Sequence, residues 1–303
     1  MSALPSLRQL SYLLALHEHG HFGRAAAACF VTQSTLSAGI AELERLLGAT
    51  LVERTRRWVR FTGVGEEVVA RARGVVRAAE DLSAGAQDAR APLTGALRLG
   101  AIPTVAPFLL PRALPAIARA WPQLRLQVRE MLTGAACEAL ARGQLDAVLL
   151  ALPAACGEVD VAEIATDRLL LATGPGEGAP ALPLADEQAL RLLLLEDGHC
   201  LTDHALAACD LRAERADAPL VAATLQTLVG LVDAGLGFTL LPEMAVTAGM
   251  LTGTRVAASA VAGVTAERRI ALAWRRGHAR AAEFGLLAGT IRDVLDPPPC
   301  GKG

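Results

Sequence analysis

The chain has 303 residues, a hydrophobic fraction of 52% and a formal net charge of −2, so it is long enough for about two domains with a sizeable core. It contains no run of about 18 apolar residues, and its first 20 residues lack the charged start, apolar stretch and cleavage site of a signal peptide. These features argue against a membrane protein and predict a cytoplasmic one.

The six cysteines are expected to be free thiols, because the cytoplasm keeps thiols reduced. They are Cys29, Cys137, Cys156, Cys200, Cys209 and Cys300. No CxxC, HExxH or Cys/His cluster is present, so the sequence predicts no metal site and no cofactor. Core packing is the better explanation for Cys29 and Cys137, and nothing near Cys156 or Cys300 would activate their thiols.

Two short helices joined by a tight turn are predicted over 22–29 and 33–47, after a first helix that begins near Leu7. The later helix carries an apolar stripe at helical spacing, made of Leu36, Ile40, Leu43 and Leu47. Thr32 is a natural N-cap for it and Gly48 a natural C-cap. This arrangement is typical of a helix-turn-helix, whose second helix enters the DNA major groove.

Small polar side chains stand at the start of that helix, beside backbone N–H groups that suit phosphates and base edges. The candidate DNA-contacting residues are Thr32, Gln33, Ser34, Thr35 and Ser37. The stretch "TLVERTRRWVRFT" then predicts two short strands around an arginine-rich turn. Such a wing can grip the DNA backbone, with Arg54, Arg56 and Arg57 as the main candidates beside Arg60.

The distribution of charged residues also supports DNA binding by this part of the chain. Residues 1–62 carry seven arginines against four glutamates, a local excess of +3 in an otherwise acidic chain. Four of the seven arginines fall between 54 and 60, which is the local footprint that a phosphate backbone attracts. A solvated basic loop is the alternative that the charges alone leave open.

A long helix is predicted from residue 64 onward. Its apolar positions recur in a pattern close to a heptad, at Val64, Val68, Ala72, Val75, Ala79 and Leu82. Such a seam pairs with its copy in a second chain or packs on its own domain, and both alternatives remain open. The polar stretch "DARAPLTG" follows as a hinge.

From residue 92 onward, strands and helices alternate, which predicts a parallel α/β sheet. Two such sets fit the remaining length, so we expect two lobes, the second with a helix over 203–209. In open parallel sheets ligands bind beyond the carboxyl ends of the strands. Thr104, Thr133 and the run "EDGHC" all follow predicted strands, so these three segments can converge on one cleft.

Cys200 lies at the end of that run, among charged and polar neighbours that include Glu196, His199 and Asp203. A polar setting can activate a thiol, whereas a buried cysteine usually behaves as a small hydrophobe. Both interpretations stay open on the residues alone. A hydrolase with His199 as base is disfavoured, because neighbours on an extended segment point to opposite faces.

The first half of the chain resembles the DNA-binding segment of LysR-type transcriptional regulators. The resemblance rests on "RAA", "VTQSTLS" and "LE..LG..L.ER" at preserved spacing. It implies double-stranded promoter DNA and RNA polymerase as partners, and a homo-oligomer, either a dimer or a tetramer. Most members have a bulky polar residue soon after the serine of "TLS", whereas this chain has Ala38 and Gly39, so base recognition leans on Gln33, Thr35 and Ser37.

The second half is similar to the peroxide-sensing members of the same family. The similar stretches are "AIPTVAPFLLPRALP", "LEDGHCL" with Cys209 nine residues after Cys200, and "LVDAGLGFTLLPEMAV". The resemblance implies that Cys200 reacts with hydrogen peroxide and that Cys209 closes a disulfide with it. It also implies the pocket residues Thr104, Thr133, His199, Asp203 and Arg268, with Arg269 possible because the register is uncertain by one. Thr202 and Gly134 depart from the common pattern, which has an arginine and a larger residue there.

The predicted fold class is α/β: an N-terminal winged helix-turn-helix (1–62), a linker dimerisation helix with a hinge (63–91), and a two-lobed α/β regulatory domain of periplasmic-binding-protein type (92–303). The predicted function is a DNA-binding regulator that senses hydrogen peroxide. The alternative is a LysR-type regulator with a small effector bound between the lobes. No GxSxG, P-loop or paired carboxylates point to an enzyme, and we predict that it is not one.

Overall fold

The computed structural model describes residues 4–54, 59–85, 92–178, 180, 184, 186–211, 221–261 and 266–295. Near residue 90 the chain divides into two compact units. The first is the predicted winged helix-turn-helix with its linker helix. Among the described residues, no helix has both the length and the apolar character needed to cross a membrane.

The elements of the first unit are α1 (Leu7–His19), α2 (Phe22–Ala28), α3 (Gln33–Leu47), β1 (Val52–Arg54), β2 (Val59–Phe61) and α4 (Gly63–Gly85). β1 and β2 pair antiparallel, as expected for a wing. Thr32 caps α3 by accepting a hydrogen bond from the Thr35 N–H at 3.2 Å, and Gly48 ends the helix in the left-handed region at φ 66°. Both predicted caps are therefore present.

Leu36, Ile40 and Leu43 of the predicted stripe are completely buried, whereas the last member, Leu47, is exposed. Gly39 explains how closely α3 approaches α1. A Cβ atom at this position would lie 2.6 Å from the ring of Tyr12, closer than packed atoms tolerate. The small residue that departs from the common family pattern is thus required by packing against Tyr12.

The seam predicted on α4 is divided between two environments. Ala72 is buried and Val68 half-buried, and both pack into the core of the first unit. Val64 and Val75 remain 49% and 50% exposed. Part of the seam therefore packs on its own domain, and the exposed valines leave an apolar strip along the same helix.

The second unit contains a seven-stranded sheet with the order β10-β6-β11-β5-β3-β4, in which β9 also pairs with β6. Its strands are β3 (Gly95–Ala101), β4 (Leu124–Glu130), β5 (Ala147–Leu152), β6 (Val159–Thr173), β9 (Thr239–Pro242), β10 (Ala257–Ala260) and β11 (Glu267–Arg275). The short strands β7 (Leu194–Leu195) and β8 (Val221–Ala222) pair separately.

The prediction of a parallel sheet is correct for only part of this unit. β3 pairs parallel with β4 and β5, and β7 pairs parallel with β8. β11 is antiparallel to β5 and β6, and β6 is antiparallel to β9 and β10. The sheet is mixed because β6 runs on from one lobe into the other, and β11 runs back along it.

Two hydrophobic clusters define the two lobes. The first cluster, in lobe I, surrounds β3, β5 and β11 and includes residues of α5 (Ala106–Ala120), α6 (Thr133–Ala141) and α11 (Ala281–Leu295). The second, in lobe II, includes residues of α8 (Cys200–Ala208), α9 (Leu225–Asp233) and β9. The short helices α7 (Asp186–Ala189) and α10 (Glu243–Thr247) complete the unit. The predicted two-lobed α/β architecture is confirmed.

The expectation of free thiols is wrong for two cysteines. Cys137 of α6 and Cys156 of the loop after β5 form a disulfide, with their Cα atoms 4.8 Å apart. Cys29, Cys200 and Cys209 are free, and Cys300 lies outside the described residues. The pair was missed because the fold, not the local sequence, brings a helix face against a loop 19 residues later in the chain.

Candidate functional site

The predicted DNA-contacting residues form a polar surface at the start of α3. Thr32, Gln33, Ser34 and Thr35 are exposed, and Ser37 is half-buried. The Thr32 hydroxyl lies 2.9 Å from that of Ser34 and 2.8 Å from that of Thr35. Arg56 and Arg57 lie outside the described residues, as does the side chain of Arg54 on β1.

Phe30 was not singled out by the sequence, although it lies in the turn before α3. Its side chain is 96% exposed, and its backbone has a φ of 55°. A bulky residue at positive φ costs about 1–3 kcal/mol, and such strain is found most often at functional sites. This turn therefore presents an exposed ring beside the polar start of α3.

Cys200 and Cys209 lie at opposite ends of one helix. The sequence predicted a helix over 203–209, but α8 spans Cys200–Ala208, so Cys200 is its first residue and Cys209 its C-cap. The earlier start arises because His199 takes up an extended N-cap conformation and Thr202 donates a hydrogen bond to the Leu195 carbonyl at 2.9 Å. Cys200 is thus not on an extended segment.

The two thiols are buried in different lobes. Cys200 is packed in the first cluster, together with Cys137, whereas Cys209 is packed in the second. Nine residues of helix separate their Cα atoms by about 13 Å and place them on opposite helix faces. Burial also raises the pKa of Cys209 to about 11, so its sulfur is held as a neutral thiol.

Arg268 is completely buried at the boundary of the lobes and makes four contacts. Its Nε donates to Asp167 Oδ2 at 3.0 Å, and its Nη2 lies 2.9 Å from the same oxygen. Nη1 and Nη2 donate to the Thr104 hydroxyl and carbonyl oxygens, each at 2.9 Å. The predicted residues Thr104 and Arg268 are therefore in direct contact.

Asp167, which the sequence did not reveal, completes this cluster. It faces Arg268 directly across the antiparallel pair of β6 and β11, and its Oδ1 accepts a hydrogen bond from the Met244 N–H at the start of α10, at 2.9 Å. Burial raises the pKa of Asp167, and the neighbouring Arg268 charge opposes that shift. The Asp167 carboxylate compensates the guanidinium charge, and Arg268 connects β6 and β11 to Thr104, which follows β3.

Arg269, the alternative candidate, points the other way. Its side chain is exposed and pairs with Glu163 on the neighbouring strand at 2.5 Å. Successive side chains of a strand alternate between faces, so only one of the two arginines can be buried. The structure assigns that position to Arg268.

The other predicted pocket residues have different environments. Thr133 is the half-buried first residue of α6, and His199 is buried with Nδ1 lacking a hydrogen-bond partner. Asp203 is exposed in the first turn of α8, and its role in the peroxide pocket stays a prediction. His204, which the sequence did not single out, has its Nε2 atom 3.2 Å from the Leu152 carbonyl oxygen. Because that oxygen can only accept, Nε2 carries the proton and donates this hydrogen bond.

Two histidines, the buried His199 and the half-buried His204, make the second unit sensitive to acid. Burial lowers the pKa of His199, against the opposing charge of Glu196, and burial together with the Arg268 charge lowers the pKa of His204. Below the ordinary value of 6.5, the unfolded chain therefore binds protons that the folded chain does not. The stability that these groups provide is complete above pH 6.5 and is lost as the pH falls towards their folded-state pKa values.

We therefore expect a His204→Gln chain to lose less stability than the wild type between pH 7 and 5. One proton changes the slope by at most about 1.4 kcal/mol per pH unit. Urea unfolding at several pH values measures this, with His19→Gln in the first unit as the control. Asp167 shifts the opposite way, above its ordinary value of 3.8, but it is present in all three chains. Equal pH slopes in the wild type and His204→Gln would contradict the assignment.

Comparison with known families places this architecture in one class. Residues 7–66 match the family described as bacterial regulatory helix-turn-helix protein, lysR family, and residues 90–296 match the LysR substrate binding domain. The chain belongs to the LysR family of bacterial transcriptional regulators.

Individual members of this family are similar to the chain over nearly its whole length. The chain is 44% identical to the HTH-type transcriptional regulator EstR of Acinetobacter baylyi, covering 97% of this chain and 98% of that protein. It is 42% identical to a probable hydrogen peroxide-inducible genes activator of Streptomyces viridosporus, covering 97% and 96%. It is also 37% identical to the DNA-binding transcriptional dual regulator OxyR of Escherichia coli K12, with 96% of each chain covered.

Solved structures of OxyR proteins are also similar to this chain. A cysteine-to-aspartate variant of full-length OxyR from Pseudomonas aeruginosa has a TM-score of 0.76 and 32% identity, covering 96% of this chain and 95% of that one. A hydrogen-peroxide-bound cysteine-to-serine variant of OxyR from Corynebacterium glutamicum has a TM-score of 0.64 and 32% identity, covering 97% and 94%. The match spans both units.

Proposed function

We propose that this protein is a DNA-binding regulator of the OxyR type, in which hydrogen peroxide oxidises Cys200 and a Cys200–Cys209 disulfide switches the DNA-bound state. One observation carries the proposal: two free cysteines lie at the two ends of a single nine-residue helix, one in the core of each lobe. A bond between them must rearrange the helix that joins the two cores. The relatives named for peroxide induction support the same assignment.

The first step takes place at the N-terminus of α8. Negative charge is favoured at this end of a helix, and the thiolate is the form in which sulfur attacks. The Cys200 sulfur attacks one oxygen of hydrogen peroxide, the O–O bond breaks, and a sulfenic acid and water result. Thr104 accepts from Arg268 through its oxygen, so its hydroxyl proton remains to donate to the peroxide, and Thr133 is the second candidate donor.

The second step requires α8 to unwind. A disulfide needs Cα atoms within about 7 Å, whereas the helix holds Cys200 and Cys209 about 13 Å apart. Unwinding breaks the hydrogen bond from Thr202 to Leu195 and the contact of His204 with the Leu152 carbonyl. It also releases Cys209 from the burial that keeps its thiol protonated. Cys209 then displaces water from the sulfenic acid and closes the bond.

The disulfide alone does not account for a complete switch. Closing so short a loop constrains the chain by about 3 kcal/mol, whereas moving a population from 1:99 to 99:1 takes about 5.5 kcal/mol. New packing must supply the rest, and we assign it to a subunit interface. Dimers would form through the exposed Val64 and Val75 strip of α4, with tetramers as a further assembly, on promoter DNA beside RNA polymerase in the cytoplasm.

The proposal predicts different DNA footprints for the two redox states. Reoriented subunits change the spacing of the recognition helices, so oxidised and reduced protein should protect different lengths of the same DNA. A Cys209→Ser chain should keep the reduced footprint after peroxide treatment, although Cys200 still reacts. Hydroxyl-radical footprinting measures the protected length, and mass spectrometry checks the 200–209 bond. Identical footprints with the bond confirmed would refute the mechanism.

A regulator that binds a small effector between its lobes is the second candidate. The buried Arg268 and Thr104 pair lies at the lobe boundary, and the second unit matches a family described as substrate binding. This function would leave the DNA footprint unchanged by peroxide in the wild type. The footprinting experiment therefore separates the two candidates.

A further inference from the structure

The disulfide between Cys137 and Cys156 lies apart from the helix that carries Cys200 and Cys209. Both sulfurs belong to residues that are almost fully buried, and both residues pack in the first cluster. Cys137 lies in α6, and Cys156 lies in the loop that follows β5. The bond therefore joins α6 to the loop between β5 and β6.

One of these segments lies against the start of α8. Leu132 immediately precedes α6, and its carbonyl accepts a hydrogen bond from Ala136 at 2.9 Å. Its side chain is so close to Gly198 that a Cβ there would lie 3.2 Å from Leu132 Cδ1. Gly198 comes two residues before Cys200, so a shift of α6 is transmitted to the position of the reactive thiol.

The other segment, the end of β5 and the loop after it, contacts α8 at His204. β5 ends at Leu152, whose carbonyl oxygen lies 3.2 Å from His204 Nε2. Cys156 follows four residues later, and its N–H donates to the Ala154 carbonyl at 3.0 Å. The two ends of the disulfide thus lead to two contacts, one at Gly198 just before α8 and one at His204 within it.

We propose that Cys137 and Cys156 form a second, reversible redox pair that sets the reactivity of Cys200. This inference rests on the proposed function. On closure the two thiols lose two electrons and two protons as the S–S bond forms, and one molecule of hydrogen peroxide takes them up and leaves as two molecules of water. A dithiol reductant reverses the step by taking the bond into its own disulfide.

The bonded form holds the start of α8 in its reactive geometry, because α6 and the β5 loop cannot move apart. Opening the bond frees each segment to shift by a fraction of an ångström against Gly198 or His204. Small misplacements of a reacting group slow its reaction. We therefore expect Cys200 to react about three- to tenfold more slowly when the pair is open.

The pair itself is tested by thiol trapping on the full chain. The protein is equilibrated in buffers of graded dithiol-to-disulfide ratio, alkylated, and mapped by mass spectrometry. Cys137 and Cys156 should pass together from alkylated to bonded, and peroxide added to the fully reduced chain should restore the bond. A pair that stays alkylated in every buffer, or one that no reductant opens in the folded chain, would overturn the proposal.

The coupling is tested by the rate at which Cys200 reacts. Cys137→Ser and Cys156→Ser chains, and the wild type with the pair opened, should all show the slower rate, both with peroxide and with iodoacetamide. Cys29→Ser in the first unit is the control and should match the bonded wild type. If the Cys137→Ser chain does not fold, Cys137→Ala takes its place in the experiment.

The two reagents separate this inference from the proposed function. A Cys200 that is inert to peroxide in every chain contradicts the proposed function, whereas the iodoacetamide rate still reports the coupling. Iodoacetamide rates equal within twofold in the bonded and open forms would overturn the coupling itself.

Discussion

A Cys200→Ser chain is expected to react with hydrogen peroxide at least about a hundredfold more slowly than the wild type, because a serine hydroxyl cannot replace the thiolate as nucleophile. Serine preserves the size of the side chain and its place as the first residue of α8. The DNA footprint of this chain should not change with peroxide. Peroxide consumption and trapping of sulfenic acid measure the first effect, and footprinting measures the second.

Two further variants serve as comparisons for this result. Cys209→Ser should react as fast as the wild type but stop at the sulfenic acid, because no second thiol closes the bond. Cys29→Ser, altered in the first unit, should behave as the wild type in both assays. Peroxide consumption at the wild-type rate by Cys200→Ser would show that another cysteine is the target.

The helix-turn-helix was predictable because its signals are local. The stripe of Leu36, Ile40 and Leu43 and the caps Thr32 and Gly48 all lie within one helix and its flanks. Each depends on neighbours within a few residues, where spacing along the chain determines position. For the same reason the strands and helices of the second unit were largely recognised. Whether neighbouring strands pair parallel or antiparallel was not.

The features that were missed depend on contacts far apart in the sequence. Asp167 lies 101 residues before Arg268, and their pairing follows from the register of β6 against β11. No local pattern specifies that register or makes β11 antiparallel to both of its neighbours. The disulfide between Cys137 and Cys156 was missed for the same reason. The family resemblance supplied Arg268, but its carboxylate partner came only from the fold.

The start of α8 was predicted incorrectly for a different reason. The predicted helix began at residue 203, yet α8 begins at Cys200 because His199 is extended and the Thr202 hydroxyl donates to the Leu195 carbonyl. A hydrogen bond to a carbonyl seven residues earlier cannot be inferred from helix propensity. The correction matters chemically, since it places the thiol at a helix N-terminus.

Arg268→Met is expected to lower the free energy of unfolding by about 3–5 kcal/mol, the usual cost of removing one partner of a buried ion pair. The change leaves the Asp167 carboxylate buried without its counter-charge and removes the donors to both Thr104 oxygens. Arg269→Met is the matched control. Its exposed pair with Glu163 is worth at most about 1 kcal/mol.

Urea unfolding followed by tryptophan fluorescence measures both losses, in a Trp58→Phe background so that Trp121 and Trp274 of the second unit give the signal. If the buried charge left on Asp167 is the main cost, an Asp167→Leu and Arg268→Met double variant should recover part of the loss, because no uncompensated charge remains. The Thr104 oxygens still lack their donors in that chain, so full recovery is not expected. Equal destabilisation by Arg268→Met and Arg269→Met would mean that the buried cluster contributes no more than a surface ion pair, and the lobes would then be held together by apolar packing alone.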